Sequence, residues 1–350
     1  MIADTTHEES QVTLEESFLK RIESLGQEEV SEELLYKVTT DFIEEAAENL
    51  VLNFDRSSNE KVHSMRLLED DFKSTHFNLW DEGLKQLDIL LSICIDSGSK
   101  FSTENSNHKN EPEYVLHEVL VRLHGQCCKI FAEITYLLKG GFADAAMARW
   151  RALHEVNVTL SFINKHGPEC ARRFLDHEII DSYNGMLSHL KFKDRINAAP
   201  PSQDECDEME HLYTQVISKY ENGFKSQYGW ADIYVEKGTR GFQAIESSAN
   251  YDHMRPYYKW ASQNIHVNTK TLTKPLALPD FDPDLIHVGA SHYGLTDPAH
   301  ASALSILQAT ATLIYSETDL EKIVLIKALT IFADRIGDTF LKIVEKKFNS

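Results

Sequence analysis

Apolar residues recur with the helical period along most of the chain. Behind Ser31, placed as a helix cap, Leu34, Leu35, Val38, Phe42, Ile43, Ala46, Leu50 and Val51 fall on one side of a predicted helix. Before it, Thr13-Leu-Glu-Glu16 reads as a capping box opening a helix through about Leu25. Two further helical segments are predicted at Glu60 to Lys73 and Phe77 to Ile95, with no proline in the first 111 residues. The polar segment Asp96 to Pro112, DSGSKFSTENSNHKNEP, then reads as a linker. It divides an acidic N-terminal helical region, residues 1–110, from a helical core domain, residues 111–350.

Past that boundary the pattern predicts a helix over Glu113 to Leu138, a turn at Gly140-Gly141 and a return helix from Ala143 to Ile163. Residues equidistant from a tight turn meet across such a hairpin, so Glu133 is expected to pair with Arg149 or Arg151. His166-Gly167-Pro168 ends the return helix, and helices follow over Glu169 to Leu190 and Gln203 to Tyr220. No regular structure is expected over Gly223 to Gly241. Asn250 to Val267 is a helix entering at Pro256, and Thr269 to His287, with Pro275, Pro279 and Pro283, an irregular loop. Asp297-Pro298 opens a helix to Tyr315, and the capping box Thr318-Asp-Leu-Glu321 opens the last one, to about Lys347. With no strand alternation, the expected class is all-α: a multi-helix bundle with antiparallel helical hairpins and one long irregular proline-containing loop.

Charge narrows the range of partners. The chain carries a formal charge of -20, and its first 110 residues hold 24 acidic against 10 basic side chains. Such a surface repels phosphate backbones, which counts against DNA as a partner. Cysteines are sparse and lack zinc spacing, the start MIADTTHEES is polar, and the longest uncharged run, Ala301 to Ser316, is too short and too rich in Ser and Thr for a membrane span. The expectation is a cytoplasmic protein with no membrane partner. No cofactor or metal is expected either: Glu60-x-x-His63 and Glu208-x-x-His211 imitate di-iron pairs but lie on polar faces.

Candidate chemistry gathers in the tract Ile130 to Ile163, strongly apolar yet holding Glu133, Arg149, Arg151, His154, Glu155 and Asn157. Ionisable groups in an apolar helix must pair or reach a wet cleft. Arg151, His154 and Glu155, at i, i+3 and i+4, share a face and suit either an anion site with proton transfer or an ion pair with His154 packed beside it. Ser262 and His266 share another face, with Lys259 one turn earlier. A mid-helix serine lacks an oxyanion hole, so a polar cleft contact or a cap is expected there rather than hydrolysis. Gly289 to Gly294 lacks the Gly-Lys-Ser/Thr of a phosphate loop. It is a turn before a capped helix or a loop closing over the cleft, with Ser291 and His292 facing in.

The stretches GGFADAAMARWRALHE, ARRFLDHEIIDSY, GWADIYVEKG, YYKWASQNIHVN and GASHYGLTDP resemble, in that order, a bacterial helical family filed as domain of unknown function five-six-seven-seven. The resemblance covers roughly residues 78 to 335. It implies an all-helical fold and a cleft shared by Arg151, His154, Glu155, Ser262 and His266, and it implies no activity. Val267-Asn268 departs from the small residue or proline that follows the His in the family pattern. Separately, Arg172-Arg173-Phe-Leu-Asp-His177 fits the Arg-x(4-6)-His motif of the HEPN ribonucleases, as do Arg56 with His63 and Arg149 with His154. That resemblance implies a homodimer acting on RNA without metal, as a toxin or phage-defence effector, with Arg172 or Arg151 holding the phosphate and His177, His154 or His266 moving protons. The other reading is a non-enzymatic sensor or scaffold that binds a small anionic ligand or a partner protein.

Overall fold

In a computed structural model the described residues are 13–26, 31–104, 114–220, 222–239, 241–265, 275–278, 287–315 and 318–348, with the side chains of Arg56, Ser57, Asn222 and Phe348 outside the description. Among them every regular element is helical, as the apolar period predicts. The chain divides into two compact units, Met1–Phe72 and Lys73–Ser350.

The first unit holds helix α1, Leu14–Glu23, and the start of helix α2, Glu32–Glu104. The predicted capping box is formed, with Glu16 N donating to Thr13 Oγ1 at 3.1 Å and Thr13 N to the Glu16 carboxylate at 3.0 Å. Ser31 Oγ likewise accepts from Leu34 N at 3.2 Å. The two helices meet through the rings of Phe18 and Phe42 and the pair Arg21 and Glu45.

Helix α2 is longer than the sequence pattern predicts. It joins the segments expected over Glu60 to Lys73 and Phe77 to Ile95 and runs through the start of the expected linker to Glu104. Hydroxyls that mark a loop in sequence are absorbed, because Ser97 Oγ and Thr103 Oγ1 donate back to the carbonyls of Ile93 and Ser99. Gly98 is no breaker either: a Cβ there would lie 2.6 Å from His124 Nδ1, so glycine serves close packing.

The second unit is built on α3, Tyr114–Lys139, and α4, Ala143–His166, which form the predicted antiparallel hairpin. Gly141, with φ +78°, makes the turn. The last two helices, Thr296–Ile314 and Leu320–Phe348, close the bundle, and the later part of α2 supplies the buried Trp80, Leu84, Leu87, Leu90 and Cys94. Trp150, Phe131, Phe162 and Phe340 fill the interior.

Gly167, with φ +81°, ends α4, and Pro168 starts α5, Pro168–Asp176. The single helix expected over Glu169 to Leu190 breaks at His177, whose Nε2 reaches Ser226 O at 2.9 Å, and resumes as α6, Glu178–Ile196. This interruption is tertiary in origin, with no glycine or proline to announce it. Helix α7, Gln203–Lys219, packs on α6, and 3-10 turns over Asn222–Lys225 and Gly229–Tyr234 lead to α8, Phe242–Ser248. Helix α9, Arg255–Gln263, has Pro256 in its first turn as expected. Most of the proline loop lies outside the described residues. Its short described turn is pinned where Leu276 N and Ala277 N donate to the Asp144 carboxylate at 2.8 and 3.1 Å.

Helix α10, Thr296–Ile314, includes Asp297 and Pro298 in its first turn, so Asp297 is not the cap that the sequence suggested. Helix α11, Leu320–Phe348, is capped by Asp319, whose carboxylate accepts from Lys322 N at 3.1 Å. Among the described residues no helix is long and apolar enough to cross a membrane.

Candidate functional site

The polar residues of α4 separate into three outlets. Arg149 donates to Glu133 across the hairpin, as their distances from the turn predict. Arg151 and Glu155 form an ion pair one turn apart, at 2.9 Å, and remain about a quarter to a third exposed. His154 points inward, its side chain 1% exposed. The shared face that helical spacing gives these three is thus divided by the packing of α8 and α9 on α4.

Tyr258, on α9, joins the outer pair. Its hydroxyl accepts from Arg151 Nη2 at 2.6 Å and donates to Glu155. Burial, followed by the hydrogen bond to Glu155 and that residue's charge, pushes the phenol well up, against the opposing Arg151. Tyr258 is therefore a neutral donor throughout the physiological range. On the inner side His154 Nε2 lies 2.9 Å from Glu246 Oε1, and the second oxygen of Glu246 accepts from Arg255 Nη1. Glu246 is fully buried and accepts from Arg255 on one oxygen, so the contact at the other is assigned as the Nε2–H of His154 donating to Oε1. The lone pair of His154 then sits on Nδ1.

Both halves meet at one ring. The guanidinium carbons of Arg151 and Arg255 lie 4.8 and 5.0 Å from the centroid of Tyr258, and the imidazole of His154 lies 5.7 Å from it. Trp150, Phe242 and Tyr251 complete an aromatic enclosure around His154. Arg151 Nε, Arg255 Nε and His154 Nδ1 are buried without a hydrogen-bond partner. Buried polar atoms of this kind are uncommon and each costs about 1–3 kcal/mol. Tyr228 stands at the edge of the cluster. Burial pushes its phenol up first, Glu155 adds to the rise, and Arg151 and Arg255 oppose it. The same Tyr228, with Ala231, Gly241, Ala244 and Ile245, lines a cavity of about 760 Å³.

The other expected residues lie elsewhere. Ser262 Oγ donates to Tyr258 O at 2.8 Å, a bond internal to α9. His266 falls outside the described residues, as does the side chain of Arg56. Arg172 lies toward solvent beside Glu169 at 3.3 Å, whereas His177 is buried against Phe224 and Ser226 O. The buried arginine of that helix is its neighbour Arg173, which donates to Trp230 O, Gly229 O and Asp232. Ser291 and His292 hydrogen-bond to partners outside this cluster. Ser291 Oγ donates to Ala277 O at 2.8 Å, and His292 Nδ1 lies 3.0 Å from His76 Nδ1.

Sequence reasoning missed Glu246, Arg255 and Tyr258. A buried His on an apolar helix demands a partner, but nothing in the spacing of FQAIESS or RPYYKW says which carboxylate or phenol supplies it.

Fold and cluster define a helical-bundle protein with an ionic and aromatic centre where α8 and α9 cross α4. Residues 117–282 match the model of a family described as a family of unknown function, DUF5677, and that stretch takes in every residue of the cluster. The likeness read from the sequence is borne out over that span. No curated protein and no solved structure matches the chain.

Proposed function

We propose that the centre around Tyr258 is a binding site for a small anionic ligand and that the protein works as a helical sensor. One observation carries this: two guanidinium groups lie 4.8 and 5.0 Å from a single phenol ring while Arg151 Nε, Arg255 Nε and His154 Nδ1 are left without partners. A carboxylate or phosphate bound side-on to an arginine takes up Nε and Nη2 together, an edge that fits Arg255, which bonds Glu246 through Nη1, whereas Arg151 Nη2 already serves Tyr258 and Glu155 and that residue offers its Nε. Glu155 and Glu246 pair with the two arginines and balance their charge. The test is calorimetric titration of the full chain with inorganic phosphate and with acetate at low ionic strength, repeated on Arg151→Gln and Arg255→Gln. Saturable binding that either substitution weakens at least about tenfold supports the site. No binding, or binding indifferent to both substitutions, removes it.

A second reading, metal-independent RNA cleavage by a toxin or defence effector, is favoured by the Glu246 to His154 bond. A carboxylate that fixes His154 with its proton on Nε2 leaves Nδ1 as a base, with cations beside it for a phosphate. Its burden is access, since the side chains of His154 and His177 are 1% and 3% exposed. Total RNA incubated with the chain and no divalent metal, against His154→Ala, His177→Ala and His266→Ala, tests it. Cleavage that all three variants retain would exclude these imidazoles as the base.

A further inference from the structure

The first unit carries an apolar surface that nothing described covers. Along α2, Tyr36, Ile43, Ala47, Leu50, Phe54, Met65 and Leu68 follow one another at intervals of three, four, seven and eleven, which keeps them on one face of the helix. Tyr36, Ile43, Leu50, Phe54, Met65 and Leu68 are 76, 60, 51, 58, 69 and 73% exposed. Helix α1 packs on a different side, through Phe42 and Glu45. Single exposed apolar residues are ordinary, but a run of large ones on one face, here Tyr36 to Phe54 before Ser58 and Lys61 interrupt it, is the mark of an interaction surface.

We propose that this stripe pairs two copies of the chain as a parallel two-helix coiled coil, independently of the ligand reading above. The residues flanking the stripe choose both the partner and the direction. From Ile43 to Phe54 the stripe has the spacing of core positions in a coiled coil, with small Ala47 among larger neighbours. One edge is mainly acidic, with Glu44, Glu48 and Asp55 following Lys37. The opposite edge holds Thr39, Ala46 and Asn53 and carries no charge there. In a parallel pair each edge faces the opposite edge of the other copy, so Thr39 meets Glu44 and Ala46 meets Val51, and no like charges are apposed. An antiparallel pair would set acidic edge against acidic edge and is disfavoured.

Long-range charge works against the same pairing. Residues 1–72 hold 19 acidic and 6 basic side chains, a net of -13 per copy, so salt should tighten the dimer by screening. A basic helix bound to the same stripe would behave oppositely and release as salt rises.

Sedimentation equilibrium of the full chain, from about 50 to 500 mM salt, tests this directly. The expected result is a dimer whose affinity rises with salt, and whose dissociation constant rises about a hundredfold or more in the double variant Ile43→Glu, Leu50→Glu. Both positions are on the surface, so helical content by circular dichroism should be unchanged. A wild-type chain that stays monomeric at about 100 µM overturns the proposal. So does a dimer indifferent to the double variant. Equally contrary would be a monomer that binds a cationic amphipathic Leu/Lys peptide more weakly as salt rises, which would give the surface to a basic partner.

Discussion

Replacing Arg255 by Met keeps most of the packed stem of the side chain and removes its charge. Glu246, fully buried, would then have His154 as its one remaining hydrogen-bonded partner among those described. Removing one member of a buried pair leaves an uncompensated charge and costs about 3 kcal/mol, the lower figure being apt here because His154 still donates to the carboxylate. In a unit of this size each kcal/mol lowers the melting temperature by about 2–4 °C, so a fall of about 6 °C or more is expected. All four tryptophans, Trp80, Trp150, Trp230 and Trp260, lie in the second unit, so their fluorescence during urea unfolding reports its stability without the first. Glu246→Gln removes the orphaned charge, so adding it to Arg255→Met should return about 1–2 kcal/mol in a double-mutant cycle. A loss under about 1 kcal/mol in the single variant, or strict additivity in the cycle, would refute the view that Glu246 is held as a paired anion.

Other consequences can be checked separately. Burial holds His124 down to about 4, so the unfolded chain binds more protons and stability falls as pH drops below 6.5 toward that value. About 2 to 3 kcal/mol should be gone by about pH 4.5, read by urea unfolding, and a His124→Gln variant with the same pH slope would contradict the assignment. Gly98→Ala should destabilise by about 1–3 kcal/mol, because its Cβ would meet His124, whereas Gly125→Ala, with nothing within 4 Å, should stabilise by about 1 kcal/mol; melting temperatures decide the signs. Burial pushes the thiols of Cys94, Cys128 and Cys170 up to about 12, 11 and 12 and that of Cys127 well above its ordinary value, while Cys206 is half-buried. A thiol reagent should therefore titrate Cys206 first and the other four only on unfolding.

The α3 to α4 hairpin, with its Glu133 to Arg149 pair, was legible because it depends on local period and distance from a turn. So were the caps at Thr13 and Ser31 and the entry of α9 at Pro256. Missed features depend on contacts distant in sequence. Gly98 and its hydroxyl neighbours look like a linker until His124 is packed against them, and His177 breaks a helix for the sake of Ser226 O. The same holds for the candidate site. Helical spacing placed Arg151, His154 and Glu155 side by side, but the side chains that separate His154 from the other two and complete the cluster come from α8 and α9, about a hundred residues away.

The most direct test of the central claim is the arginine side-chain amide spectrum of the full chain, labelled with nitrogen-15, with Arg151→Lys and Arg255→Lys variants to assign the two Nε–H signals. On titration with inorganic phosphate both signals should move together and saturate at one equivalent. Signals that stay fixed while other arginines respond would show that the phosphate goes elsewhere and that the open nitrogens around Tyr258 belong to the architecture alone.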